Sequence, residues 1–83
     1  KNTLGWYNRG YIWLELREDP DKAIPLFEKA IELHPEYTEA IYNLGLCYER
    51  KGLLLKAQDY YRQALEIDPQ YDLAALGLER LAS

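Results

Sequence analysis

The chain has 83 residues, 48% of them apolar and 29% charged, a globular balance in a length that holds one domain and buries only about 60% of its unfolded surface. Ten Lys and Arg stand against fourteen Asp and Glu, for a net charge of -4 and a pI near 4.9. That argues against an electrostatic grip on nucleic acid or anionic lipid, and the single cysteine excludes an intrachain disulfide or a cysteine-rich zinc cluster. In chain order, the first predicted helix runs from about Leu4 to Arg17, with Trp6, Trp13 and Leu14 at helical spacing and no internal proline. Asp19-Pro20 starts the second, with an acceptor at the N-cap and proline at the first helical position. This helix reaches about Leu33 and stops before Pro35; Pro25, inside it, should bend it slightly. The third spans about Thr38 to Lys51 and ends at Gly52, a C-terminal capping glycine. The fourth spans about Leu54 to Ile67 and stops at Asp68-Pro69, and a fifth covers about Asp72 to Ala82. No segment has strand periodicity, so the expected class is all-α with five helices.

The sequence repeats itself. At an offset of 34, Ala23 meets Ala57, Phe27 meets Tyr61, Ala30 meets Ala64, Pro35 meets Pro69 and Tyr37 meets Tyr71. Earlier positions match at 35 instead: Tyr7 with Tyr42, Asn8 with Asn43, Gly10 with Gly45 and Trp13 with Tyr48. The change of offset places a one-residue insertion between about Leu14 and Lys22, and a length change is best tolerated in a turn, so the extra residue is expected there. Gly10 and Gly45, with the small alanines, let helices approach closely, while Trp6, Trp13, Phe27, Tyr48 and Tyr61 fill the remaining space.

The series Ile41, Leu44, Gly45, Tyr48, Ala57, Tyr61, Ala64 and Pro69 resembles a tetratricopeptide repeat, whose unit is 34 residues. Trp6, Gly10, Trp13, Ala23, Phe27, Ala30 and Pro35 form a second copy, departing at Arg9 and in the longer turn. The expected organisation is one domain over 1–83: a repeat at about 3–37, a repeat at about 38–71 and a capping helix at about 72–82. Glu79 stands at the glycine position of the last helix and would block a following partner helix; Ala74 and Leu81 should face the second repeat, leaving Leu78 without cover. The resemblance implies a right-handed superhelix of antiparallel helix pairs with a concave face made mainly by the first helix of each pair.

Catalytic chemistry has little to work with. His34 sits at a helix end with no fixed partner, Cys47 lies at a packing position, and no phosphate loop or metal-ligand spacing is present. The reading is therefore a non-enzymatic chain with no catalytic residues, metal or cofactor. Of eight tyrosines, Tyr48 and Tyr61 are expected in the core, Tyr60 on the outer layer and Tyr37 and Tyr71 as braces at corners.

By the geometry of the resemblance, Tyr7, Tyr11 and Tyr42 point into the concave groove beside Asn8 and Asn43, flanked by Leu14, Leu46, Arg50 and Leu76, among others. An amide side chain both donates and accepts, so it suits a peptide backbone, and tyrosines supply rigid contact area with a polar tip. The candidate peptide-binding residues are Tyr7, Asn8, Tyr11, Tyr42, Asn43, Leu46, Arg50 and Leu76. Chaperone-adaptor members of the family hold a partner's terminal carboxylate with cations and asparagines. Here Tyr7, Tyr11, Leu73 and Gly77 stand at four of those positions and only Asn43 is kept, so that clamp is missing.

The leading expectation is a protein-interaction module that binds a peptide or helix of a partner protein, with neither nucleic acid nor membrane as partner. The alternative is a structural unit that forms homo-oligomers through its terminal helices. One unpaired cysteine and no signal sequence fit the cytoplasm, and the lack of any Met reads as a processed or excised segment.

Overall fold

The computed structural model describes residues 2–82. Five α-helices follow one another: α1 Thr3–Tyr11, α2 Pro20–Leu33, α3 Thr38–Arg50, α4 Leu54–Ile67 and α5 Asp72–Ala82. A π-helical segment, Ile12–Leu16, continues α1. No strand occurs among the described residues.

Local chemistry sets the boundaries. The Asn2 side chain accepts a bond from the Gly5 amide at 3.0 Å and starts α1. Asp19 does the same for Lys22 at 3.2 Å, ahead of Pro20 at the first position of α2. α2 then runs unbroken through Pro25 to Leu33. Gly52 closes α3 with φ +83°, the left-handed conformation expected of a capping glycine. Glu18, at the equivalent place after the π segment, adopts φ 53° with a side chain that makes this conformation costly.

That equivalence corrects the expected place of the insertion. The turns at Glu18 and Gly52 share a conformation, so the extra residue lies before the turn and within the helix. The Arg17 amide reaches back five residues to the Ile12 carbonyl at 3.0 Å. Asp19 reaches Trp13 at 2.8 Å, where the second pair has Leu53 reaching Tyr48 at 2.9 Å. A wider helical turn absorbs one residue without breaking hydrogen bonding, and so keeps Gly10 packed on Phe27 upstream and Ala23 buried downstream.

Each helix packs on its neighbours in sequence: α1 on α2, α2 on α3, α3 on α4 and α4 on α5. Side-chain bonds link α1 or its π extension to α3, and α3 to α5, so these three form one layer and α2 with α4 the other. The extents are 36 × 25 × 17 Å; the thinnest matches two helix layers about 9 Å apart. The core runs between the layers through Phe27, Leu44, Cys47 and Tyr61 and the alanines Ala23, Ala30, Ala57, Ala64 and Ala74. The Tyr61 ring lies between Gly45 and Gly77: a Cβ on either would come within 2.5 Å and 2.7 Å of its carbons.

α5 packs on this core through Ala74 and Gly77, with Leu81 half-buried, and Glu79 is exposed. Leu78, expected bare, also packs against the core; the exposed leucines of α5 are Leu73 and Leu76. The helix is rotated so that its 74, 77, 78 and 81 edge meets α4, which leaves the 73 and 76 edge on the other side.

Candidate functional site

The α1–α3–α5 layer carries the candidate residues. Tyr7 lies on α1 with its ring 5.1 Å from Tyr37, 5.7 Å from Phe27 and 6.3 Å from Tyr11. Tyr42, its equivalent on α3, lies 5.6 Å from Tyr61 and 5.6 Å from Tyr71. The same aromatic trio is thus built twice, from a first-helix tyrosine, a second-helix ring and the tyrosine after the corner proline. Burial raises the phenol pKa of Tyr7 and Tyr42 above the ordinary value, so both remain neutral donors and acceptors near neutral pH.

Asn43 is 4% exposed, and its amide donates to the Tyr7 hydroxyl at 3.0 Å and the Glu39 carbonyl at 2.8 Å. Its donors are spent on fixing Tyr7 against α3, which makes it a positioning residue of this face. Asn8, the equivalent on α1, is exposed. Tyr11 is 45% exposed and Leu76 53%, while Leu46 is half-buried. Leu14, expected beside them, is fully buried. It stands where α3 has Glu49; Phe27 carries no hydroxyl, so an apolar residue fits there, whereas Tyr61 needs an acceptor.

That acceptor organises the opposite end of the face. The Tyr61 hydroxyl donates to Glu49 at 2.6 Å, and Arg80 grips the same carboxylate with two bonds of 2.8 Å. The Arg80 bond first, with help from Tyr61, holds the Glu49 carboxyl below its usual range, while burial opposes. Arg50 pairs with Glu15 at 2.9 Å and donates to the Leu14 carbonyl, in the π segment, at 3.2 Å. Arg50 therefore ties α3 to the π segment. Glu15, Glu18, Pro20 and Arg50 line an open cavity of about 480 Å³ beside it.

Sequence reasoning placed Tyr7, Tyr11 and Tyr42 on the first helix of each pair and missed the Tyr61–Glu49–Arg80 network. Its signal was the change from Phe27 and Leu14 to Tyr61 and Glu49, an apolar pair replaced by a hydrogen-bonding pair. It also missed the exposed run Leu53, Leu54 and Leu55 at the α3–α4 turn, where the first pair has Asp19, Pro20 and Asp21. Among the described residues no group of His, Cys, Asp and Glu is placed to hold a metal ion, and no helix is long and apolar enough to cross a membrane. Cys47 is fully buried, and burial pushes its thiol up to about 12, far from a reactive thiolate at neutral pH.

Comparison with known proteins agrees with this architecture. The tetratricopeptide repeat family model matches residues 7–72. BBSome complex member BBS4 of Bos taurus is 39% identical over 69 residues, which is 83% of this chain and 13% of that protein. Anaphase-promoting complex subunit 3 of Schizosaccharomyces pombe is 33% identical over 69 residues, 83% of this chain and 10% of that one. The chloroplastic tetratricopeptide repeat domain-containing protein PYG7 of Arabidopsis thaliana is 42% identical over 60 residues, 71% of this chain and 20% of that one. The chain thus spans a fifth or less of the length of these relatives. With antiparallel helix pairs, glycine–aromatic contacts repeated at the family's spacing and a family match across most of its length, the chain belongs to the tetratricopeptide repeat family.

Proposed function

We propose that the α1–α3–α5 face is a groove that holds a peptide or helix segment of a partner protein, and that its role is recognition without chemistry. The observation that carries this reading is a row of half-exposed apolar and aromatic side chains on one layer, Tyr7, Tyr11, Tyr42, Leu46 and Leu76. Asn8 stands open at its edge, while Asn43 is committed to Tyr7 and Arg50 to tying α3 to the π segment. Rigid tyrosines with polar tips are efficient contact residues because little rotamer freedom is lost on binding. The named relatives include members of multi-subunit complexes, which is the setting this role fits.

The same reading takes 1–83 as one domain, with repeats at about 3–37 and 38–71 and a cap at about 72–82. These two helix pairs and the last helix offer a short face, so a segment held by these residues alone is brief or weakly held.

The test is selection of peptides from a displayed random library, followed by fluorescence polarisation of the winners. Tyr11→Ala and Leu76→Ser are expected to weaken binding about tenfold each, and Leu55→Ser at the distant turn to leave it unchanged. Winners indifferent to both groove substitutions would count against the groove. A second reading, self-assembly, draws support from the exposed Leu53, Leu54 and Leu55, which together with Lys56 line an apolar hollow of about 410 Å³. Sedimentation velocity over a range of concentrations decides it, because a concentration-independent monomer removes it.

A further inference from the structure

One end of the α1–α3–α5 face differs from the rest. Tyr7 and Tyr37, both half-buried, meet where α1 and α3 begin, half-buried Tyr71 precedes α5, and Glu39 stands on the first turn of α3. Asn43 links Tyr7 to the start of α3: the Glu39 backbone carbonyl accepts from Asn43, Asn43 donates to the Tyr7 hydroxyl, and the Tyr7 ring lies 5.1 Å from Tyr37. Tyr71 packs on Tyr42, 5.6 Å away on the same helix as Glu39, and its phenol lies in the field of Glu39 and Tyr7. Glu39 itself is exposed.

The charges of the chain are distributed unevenly around this cluster. Of the ten Lys and Arg, Lys1 lies outside the described residues, and the other nine are engaged elsewhere. Arg50, Lys51 and Arg80 hold Glu15, Asp21 and Glu49, and Lys29 and Arg62 hold carboxylates on their own helices. Arg9, Arg17, Lys22 and Lys56 lie over Trp6, Trp13 or Tyr48. The charged side chains that bear on the phenols are the carboxylates of Glu39 and Asp68, and the His34 ring lies 5.6 Å from Tyr37. After burial, Glu39 is the next cause that raises the phenols of Tyr37 and Tyr71, the latter to about 12, and it contributes at Tyr7 as well. Rings with negative faces, hydroxyl acceptors and a carboxylate held by none of these nine partners make a site complementary to a cation with a flat, weakly hydrated head.

We propose that Tyr7, Tyr37, Tyr71 and Glu39 form a pocket for an arginine side chain of the segment bound in the groove. This rests on the groove reading and adds to it a specificity-determining position. The guanidinium stacks on a tyrosine ring while its N–H groups donate to the Glu39 carboxylate and a tyrosine hydroxyl. The aliphatic stem continues toward Tyr42 and Leu46.

The experiment is an NMR titration of the isotope-labelled chain with N-acetyl-arginine N-methylamide, following backbone amides and tyrosine ring carbons. Saturable shifts are expected at Glu39, Tyr7, Tyr37 and Tyr71. The citrulline analogue, of the same shape without the charge, is expected to bind at least about fivefold more weakly, and Glu39→Gln to weaken the arginine derivative to the same degree. Glu39 is exposed, so this variant keeps the native circular dichroism spectrum. Equal binding of arginine and citrulline, or shifts centred on Glu15 and Glu18, would overturn the proposal. If library-selected peptides still depend on Tyr11 and Leu76 while the arginine derivative leaves Glu39 unmoved, the pocket falls and the groove stands. If the selected peptides miss the face altogether, the groove reading falls too.

Discussion

Gly45→Ala puts the packing account under the sharpest strain. A Cβ at Gly45 lies 2.5 Å from Tyr61 Cε1 and 2.7 Å from Cδ1, well inside contact distance. The ring cannot slide away, because Gly77 presses its other edge, where a Cβ would stand 2.7 Å from Cε2. Two effects oppose each other. Alanine is the better helix former by about 1 kcal/mol, and forcing a methyl into a filled core costs about 1–3 kcal/mol. With the ring held on both sides the cost falls at the upper end, for a net loss of about 2 kcal/mol. In a domain of this size that lowers the melting temperature by about 8–16 °C. Urea unfolding followed by circular dichroism measures it directly. Gly77→Ala should cost less and Gly10→Ala less again, since its nearest contact, with Phe27, is 2.9 Å. Gly5→Ala meets the Asn2 side chain that caps α1, at 3.1 Å, so its propensity gain is offset and the change should be near neutral. A Gly45→Ala chain as stable as the parent, or more so, would refute the claim that Tyr61 fills a cleft between two glycines.

Further expectations concern the turn, the ion network and the core thiol. Glu18→Gly relieves a left-handed backbone carried by a side chain and should stabilise the chain by about 1 kcal/mol, read as a higher thermal midpoint. Glu49 has a folded pKa below its unfolded value, so its contribution is present above the ordinary carboxylate range and lost as pH falls through the folded value. Urea midpoints should therefore decline on the acid side, and Glu49→Gln should flatten that decline. Tyr61 and Tyr71 have raised folded values, so their contribution is whole below about pH 10 and lost as pH rises beyond it. Stability should fall on the alkaline side, less steeply in Tyr61→Phe. Cys47 should resist a thiol reagent in the native chain and react at a rate that tracks unfolding by urea.

The legible parts of the fold were those fixed by short-range chemistry. Asp19 followed by Pro20, Gly52 after a helical run, and proline two residues past Leu33 and Ile67 each mark a boundary by one mechanism, and the helices begin and end there. Small residues at Gly10, Gly45, Ala23 and Ala57 against large rings gave the pairing. The π segment was not legible, because an offset that changes by one residue locates an insertion only to an interval, and a wide helical turn and a longer loop satisfy it equally. Leu14 was misassigned because the helix pattern could not show that Phe27, unlike Tyr61, needs no acceptor beside it. Asn43 was assigned to a ligand because its repeat position was known, whereas its burial depends on Tyr7 from a distant part of the chain. Residues on the face could be listed from periodicity; which of them are spent on each other is a property of three dimensions.

The most direct test of the account is where a bound segment lands. With a library-selected peptide added to the labelled chain, amide and side-chain shifts are expected to concentrate at Tyr7, Tyr11, Tyr42, Leu46 and Leu76, with the outer faces of α2 and α4 unmoved. Shifts confined to those outer faces, or to the Leu53–Leu55 turn, would contradict it.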